Sequence, residues 1–165
     1  NSKLFSNVDY VIGDRNNNDD LMNLTKNKWD VVIDVPYFPV DVVEKSVNIL
    51  FNNVNRYVFI SSISVYDIDK HEDNGYNNYC KHKLASERLF SGKELKSLIF
   101  RPGIICGEGD NTNRFDYSEW PKMKWKNNGH ELEYDNVIKI SKKIIELMGD
   151  KKTSIWDSDK EGRLV

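Results

Sequence analysis

Apolar positions along the first hundred residues alternate between two textures, compact β-branched runs and stretches with helical spacing. Val8 to Ile12 is a short β-rich run closed by Gly13-Asp14, and it predicts a strand. Asp19 to Lys26 has a capping start and helical spacing. Asp30 to Val35 reads Asp-Val-Val-Ile-Asp-Val, as expected of a strand buried on both faces, and Pro36 and Pro39 follow it. Val43, Val47, Leu50 and Val54 fall on one face of a helix. Tyr57 to Ile60 predicts a buried strand ending in Ser61-Ser62, Tyr79 to Phe90 a helix, and Ser97 to Phe100 a strand stopped by Pro102-Gly103. Strands separated by helical segments predict βαβ units. The expected fold class is therefore α/β: a doubly wound, Rossmann-like parallel sheet over residues 1–109. A small C-terminal lobe over 110–165 is expected to be continuous with it. There, Asp110 to Trp125 is polar and aromatic, and Val137, Ile140, Ile144 and Leu147 form a helical stripe with Gly149 as its C-cap. Thr153 to Trp156 predicts a last short strand.

Composition narrows the function classes. A chain of 165 residues is one domain at about 150 residues each, and 39% hydrophobic with 12% aromatic residues supplies a core. Charged residues reach 30%, but 24 basic against 26 acidic residues leave −2. No uniformly basic field is available for phosphate backbones, which disfavours nucleic acid as a partner. No apolar run approaches the roughly 18 residues of a membrane helix, and nothing at the start reads as a secretory leader. The expectation is a cytoplasmic protein with no membrane partner. Cys80 and Cys106 lack metal-ligand spacing and are expected as reduced thiols. His71-Glu72-Asp73 are adjacent residues of a solvated loop, so no metal site is expected. Trp120, Trp125, Arg114 and Tyr117 suit either a substrate pocket or the packing of the C-terminal lobe.

The stretch from Tyr57 to Glu87 carries the chemistry. Tyr79 and Lys83 are four residues apart and share a helix face. An ammonium close to a phenol favours the phenolate and lowers its pKa from about 10, which makes a tyrosine a usable acid/base. A serine hydroxyl at the carboxyl end of a neighbouring strand would bond the same substrate oxygen, at the sheet edge where ligands of open parallel sheets sit. The spacing alone is weak, since about one such pair is expected by chance in this composition. Tyr66/Lys70 is a second one, but it lies in an acidic loop, whereas Tyr79/Lys83 opens a helix continuing Leu84-Ala85-Ser86-Glu87. His82 is rotated from the Tyr79/Lys83 face and is expected at the surface. Cys80 has no evident His or Asn partner and is not read as a nucleophile.

Three motifs appear in order: Ser61-Ser62-Ile63-Ser64-Val65-Tyr66, Tyr79-Cys80-Lys81-His82-Lys83 with Glu87, and Arg101-Pro102-Gly103. Their order and spacing resemble the NAD-dependent epimerase/dehydratase family, the extended short-chain dehydrogenase/reductases, over about residues 1–110. By that resemblance Tyr79 would be the acid/base, Lys83 would hold the nicotinamide ribose, and Ser62, with Ser64 as its local competitor, would orient the substrate oxygen. Gly13-Asp14-Arg15 looks like the family's adenine-contacting loop. Asp14, Arg15, Pro102 and Gly103 would then border the cofactor together with Tyr79 and Lys83. The implied cofactor is NAD or NADP, and the implied partner is a small-molecule substrate, with a nucleotide sugar as one candidate. A homodimer is an open option.

The nine glycines include no glycine-rich turn between a first strand and helix to bind a pyrophosphate. In the family's strand order two strands would separate Val8–Ile12 from Asp30–Val35, leaving a gap of about 14 Å. The expectation is that about 40 residues precede Asn1, supplying the first βαβ unit. The leading expectation is an NAD(P)-dependent oxidoreductase or epimerase acting on a hydroxyl or keto carbon. The alternative is a non-catalytic dinucleotide-binding or RNA-associated scaffold of the same fold.

Overall fold

In the computed structural model, the residues described are 7–36, 39–66, 68, 75–103, 105–106, 125–127, 130–132, 135–148 and 155–157. The main sheet has four strands, all parallel. They are β1 (Trp29–Asp34), β2 (Val54–Ile60), β3 (Ser97–Arg101) and β8 (Ile155–Asp157), side by side in that order. Helix α1 (Asn18–Leu24) precedes β1, α2 (Val40–Leu50) joins β1 to β2, α3 (Gly75–Glu87) lies between β2 and β3, and α4 (Val137–Met148) precedes β8. Two small sheets lie between β3 and α4: β4 (Ile105–Cys106) pairs with β7 (Asp135–Asn136), and β5 (Trp125–Asn127) pairs with β6 (His130–Leu132). After α4, β8 is again a strand of the main sheet.

Alternation along the strands sorts the core into two layers. Tyr57 and Phe59 of β2 face one side, against Val43, Val47 and Leu50 of α2 and Phe90 just after α3. Val58 and Ile60 face the other side with Leu98 and Phe100 of β3, against Ile144 and Leu147 of α4. Helices on both faces of a parallel sheet make the fold doubly wound and Rossmann-like. Each fully buried aliphatic or aromatic side chain contributes about 1.5–3 kcal/mol. The rings are arranged for it: Phe90 sits 5.3 Å from both Tyr57 and Phe59, tilted. Phe100 stacks on Trp156 at 4.1 Å, fastening β8 to β3.

The helix ends follow local chemistry. Asn17 caps α1 by accepting the Asp19 N–H at 2.9 Å, and Asp19 and Asp20 stand in its first turn. At the other end, Trp29 Nε1 donates to the Leu24 carbonyl at 2.7 Å. Gly92, in the turn before β3, has φ 75°, a left-handed conformation that a side chain resists.

Four expectations require correction. Val8–Ile12 forms no strand; it is an extended, exposed segment with Ile12 91% accessible, because no described strand lies beside it to pair with. Asp30–Val35 is not buried on both faces. Among the described residues β1 is the edge of the sheet and pairs with β2 alone, and Ile33 and Val35 are exposed while Asp34 is buried. Val54 does not continue the helical stripe of α2, which stops at Leu50; it begins β2 after a 3-10 turn. Helix α3 also starts four residues ahead of Tyr79, at Gly75. Gly149, Arg114, Tyr117, Trp120 and the His71-Glu72-Asp73 run lie outside the described residues.

Candidate functional site

The carboxyl ends of β1 and β2 face the middle of α3, and there the polar side chains of the core collect. Lys83 is 7% exposed. Its Nζ donates to two backbone carbonyls, Pro36 just after β1 and Ile60 at the end of β2, each at 2.8 Å. Main-chain oxygens at strand ends have no partner strand left to bond, and the ammonium satisfies two of them. The same Nζ lies 5.6 Å from the Tyr79 ring centroid and 5.5 Å from that of Phe59. Burial pushes the Lys83 amine down to about 8, against the upward pull of Asp34 and Glu87.

Those two carboxylates are nearby but occupied by arginines. Asp34, at the end of β1, accepts both Arg15 Nη1 and Nη2 at 2.6 Å and the Tyr57 hydroxyl at 2.6 Å. Burial first, then the Asp34 charge, raises the Tyr57 phenol far above its ordinary value. Arg15 is itself raised, because the Asp34 carboxylate outweighs the cost of its burial. Glu87, one turn beyond Lys83, accepts Arg101 Nε at 2.9 Å, Arg101 Nη2 at 2.6 Å and the Ser61 hydroxyl at 2.5 Å. Arg101 reaches on to the Tyr66 oxygen at 2.6 Å, with its guanidinium over the Tyr66 ring. Glu87, four residues after the Tyr-x-x-x-Lys segment, thus joins the Ser-Ser-x-x-Val-Tyr and Arg-Pro-Gly segments into one network, from the end of β2 through α3 to the end of β3.

Two cavities open at this edge. One, of about 220 Å³, is lined by Tyr79, Lys83, Ser86, Pro36, Pro39, Gly75, Asn78 and His82. Of these, Lys83, Ser86 and Pro36 are buried and form the floor, whereas Pro39, Gly75, Asn78 and His82 are exposed and form the rim. The other, of about 230 Å³, lies between the Gly13–Arg15 loop, α1 and β1. Asp14, Arg15, Asp20, Val32, Asp34 and Tyr57 are among its walls.

The residues singled out in the sequence are distributed between these places. Tyr79 and Lys83 meet at one cavity and Asp14 and Arg15 at the other. Arg15 is committed to Asp34. Asp14 is exposed, its carboxyl bonds the Asn16 backbone and side chain, and those bonds hold it below the usual carboxylate range. Its own N–H bonds Asp20 at 2.8 Å. A Cβ on Gly13 would come within 3.1 Å of Asp20, which ties this loop to the first turn of α1. Ser62 donates to Ser64 Oγ at 2.8 Å, in the turn after β2, and neither serine is among the walls of the Tyr79–Lys83 cavity. Pro102 is buried, its carbonyl accepting the Ile63 N–H at 3.1 Å, and Gly103 follows it at the end of β3. Cys80 is a buried thiol. His82 is exposed as its rotation predicts, yet it borders the cavity.

Asp34, Tyr57 and Pro36 are site residues that the sequence reading does not single out, and Glu87 enters it only as a motif residue with no role. Asp34 carried a usable signal, a carboxylate closing an otherwise apolar strand run, which demands a buried partner. Among the described residues, no group of three or more His, Cys, Asp or Glu side chains is placed to hold a metal. No described helix is long and apolar enough to cross a membrane. No family model matches the chain, and a search of curated proteins finds no match either. What the site can do is therefore a question for its own atoms.

Proposed function

We propose that the chain is an NAD(P)-dependent oxidoreductase or epimerase of the epimerase/dehydratase type, acting on a carbon that bears a hydroxyl or a keto oxygen. The observation that carries this reading is the single cavity shared by Tyr79 and Lys83 at the carboxyl edge of a parallel sheet, where such folds take their ligands. A phenol beside an amine suits proton exchange with a substrate oxygen. Tyr79 would take the proton of a substrate hydroxyl, or return it to a carbonyl, and the Lys83 ammonium would stabilise the phenolate that results. A nicotinamide, when bound, supplies the hydride acceptor or donor for the adjoining carbon.

The ribose end of such a cofactor fits this chain. Lys83 uses two of its donors on Pro36 and Ile60 and retains a third, and Ser86 and Asn78 line the same space. The second cavity, with Asp14 and Arg15, would take the far end. For the pyrophosphate between them, the described residues offer no glycine-rich turn, so that part of the site does not fit from these residues alone. A non-catalytic scaffold of the same fold is the second reading, favoured by the commitment of Arg15 to Asp34 and of Lys83 to main-chain carbonyls.

Thermal unfolding with millimolar NAD(H) and NADP(H) tests whether a dinucleotide binds at all. The oxidoreductase reading expects a rise in Tm with one of them; no shift with either counts against it, and turnover then separates an enzyme from a scaffold that binds dinucleotide. Once turnover of a hydroxyl or keto substrate is measured, Tyr79→Phe is expected to lower it at least about a hundredfold while cofactor binding stays within a few fold. Activity surviving that change removes Tyr79 from its role.

A further inference from the structure

Lys83 offers a chemistry that hydride transfer does not use. We propose that its amine is a nucleophile which captures a small uncharged aldehyde in the Tyr79–Lys83 cavity as an imine. This goes beyond the oxidoreductase reading and needs no bound nucleotide.

The Lys83 nitrogen has four tetrahedral positions. One is Cε, and two carry hydrogens held by the Pro36 and Ile60 carbonyls. A neutral amine has only those two hydrogens, so both are used and its lone pair takes the fourth position. Neutrality is within reach because, among the described residues, Nζ is bonded to main-chain carbonyls and to no carboxylate. Asp34 is bonded by Arg15 and Tyr57, and Glu87 by Arg101 and Ser61. Arg15 adds a repulsive charge, and burial lowers the pKa to about 8. An ordinary lysine is almost wholly charged at neutral pH and therefore unreactive.

Lys83 lines a cavity of about 220 Å³, enough for a small carbonyl compound. Pro36, Pro39 and the Tyr79 ring make apolar walls, and Asn78, His82 and Ser86 supply polar atoms. None of these described walls is acidic, so the cavity favours an uncharged guest over a cationic one.

The chemistry closes with groups already present. The Lys83 lone pair attacks the aldehyde carbon, a C–N bond forms, and the carbonyl oxygen takes up the proton lost by nitrogen, giving a carbinolamine. Protonation of that hydroxyl, a task for the neighbouring Tyr79 phenol, expels water. The second N–H proton then leaves nitrogen and returns to the tyrosine. Amine plus aldehyde gives imine plus water, with no change of oxidation state.

The test labels the full chain with benzaldehyde and cyanoborohydride at pH 7, without nucleotide, and maps the modified lysines by peptide mass spectrometry. Lys83 is expected to react at least about tenfold faster than the mean of the other 17 lysines. Lys83→Arg removes that product and leaves the slower ones. Asn78→Trp, an exposed rim change, is expected to slow Lys83 labelling at least fivefold while leaving the rest unchanged. Labelling of Lys83 at or below the mean rate overturns the proposal, and so does an Asn78→Trp variant labelled at the original rate. Nucleotide binding is read separately, by thermal shift, so either idea can fail without the other.

Discussion

Three buried or half-buried cations crowd the carboxyl edge of the sheet, and they are solved in two ways. Arg15 and Arg101 each face a carboxylate through a forked pair of hydrogen bonds, Asp34 for the first and Glu87 for the second. Lys83, lying between those pairs, meets carbonyl dipoles and the Phe59 and Tyr79 rings among the described residues. Arginine's planar fork and permanent charge suit a fixed ion pair, whereas a lysine left without a counter-ion can lose its proton. The difference separates the architecture of the site from its chemistry: the arginine pairs hold strand ends and helices together, and the lysine is left poised.

Breaking an arginine pair should have the largest effect. Asp34→Ala strips Arg15 of its partner and leaves the buried Tyr57 hydroxyl without an acceptor. Urea unfolding is expected to show a loss of about 3–5 kcal/mol. Glu87→Gln keeps the shape but removes the charge from Arg101 and Ser61; a loss of about 2 kcal/mol is expected in the same assay. A loss below half a kcal/mol in either variant would place these pairs outside the stability of the fold.

The lysine should instead be read through pH. The folded chain releases the Lys83 proton near pH 8 and the unfolded chain near 10.5, so between those values the unfolded state binds more protons. Stability therefore rises with pH across that window, by about 1 kcal/mol between pH 7 and 9. Above pH 10 the raised Tyr57 phenol acts in the opposite direction, because the unfolded tyrosine ionises first. Lys83→Met should flatten the rise between pH 7 and 9, and a slope that persists in it assigns the effect to another group. The smallest effect is expected at Gly92, remote from both kinds of site. Gly92→Ala costs about 1 kcal/mol or less through its left-handed backbone alone, and it should leave the pH slope unchanged.

Much of this architecture was legible in the chain. β-branched runs at Val31–Ile33 and Val58–Ile60 found their strands, and the Val43, Val47, Leu50 stripe found its helix, because periodicity records which side faces the core. The pairing of Tyr79 with Lys83 in one cavity follows from helix geometry, which spacing determines. Val8–Ile12 shows the limit: a strand needs a neighbour as well as a propensity, and no local pattern reports whether the neighbour is there. The Asp34–Arg15 and Glu87–Arg101 pairs join residues 19 and 14 positions apart. Such contacts are set by the layering of helices on the sheet, and one sequence does not expose them. The same holds for the two carbonyls that receive Lys83.

Lys83 sits beside Tyr79 as a buried amine bonded to main-chain carbonyls and, among the described residues, to no carboxylate. Titration of the Lys83 side-chain amine by NMR in the intact chain addresses it without assuming a ligand. A midpoint near 8 is the expected result. A midpoint at or above 10.5, the ordinary value for a lysine, would contradict the account by showing a nitrogen that is solvated or ion-paired.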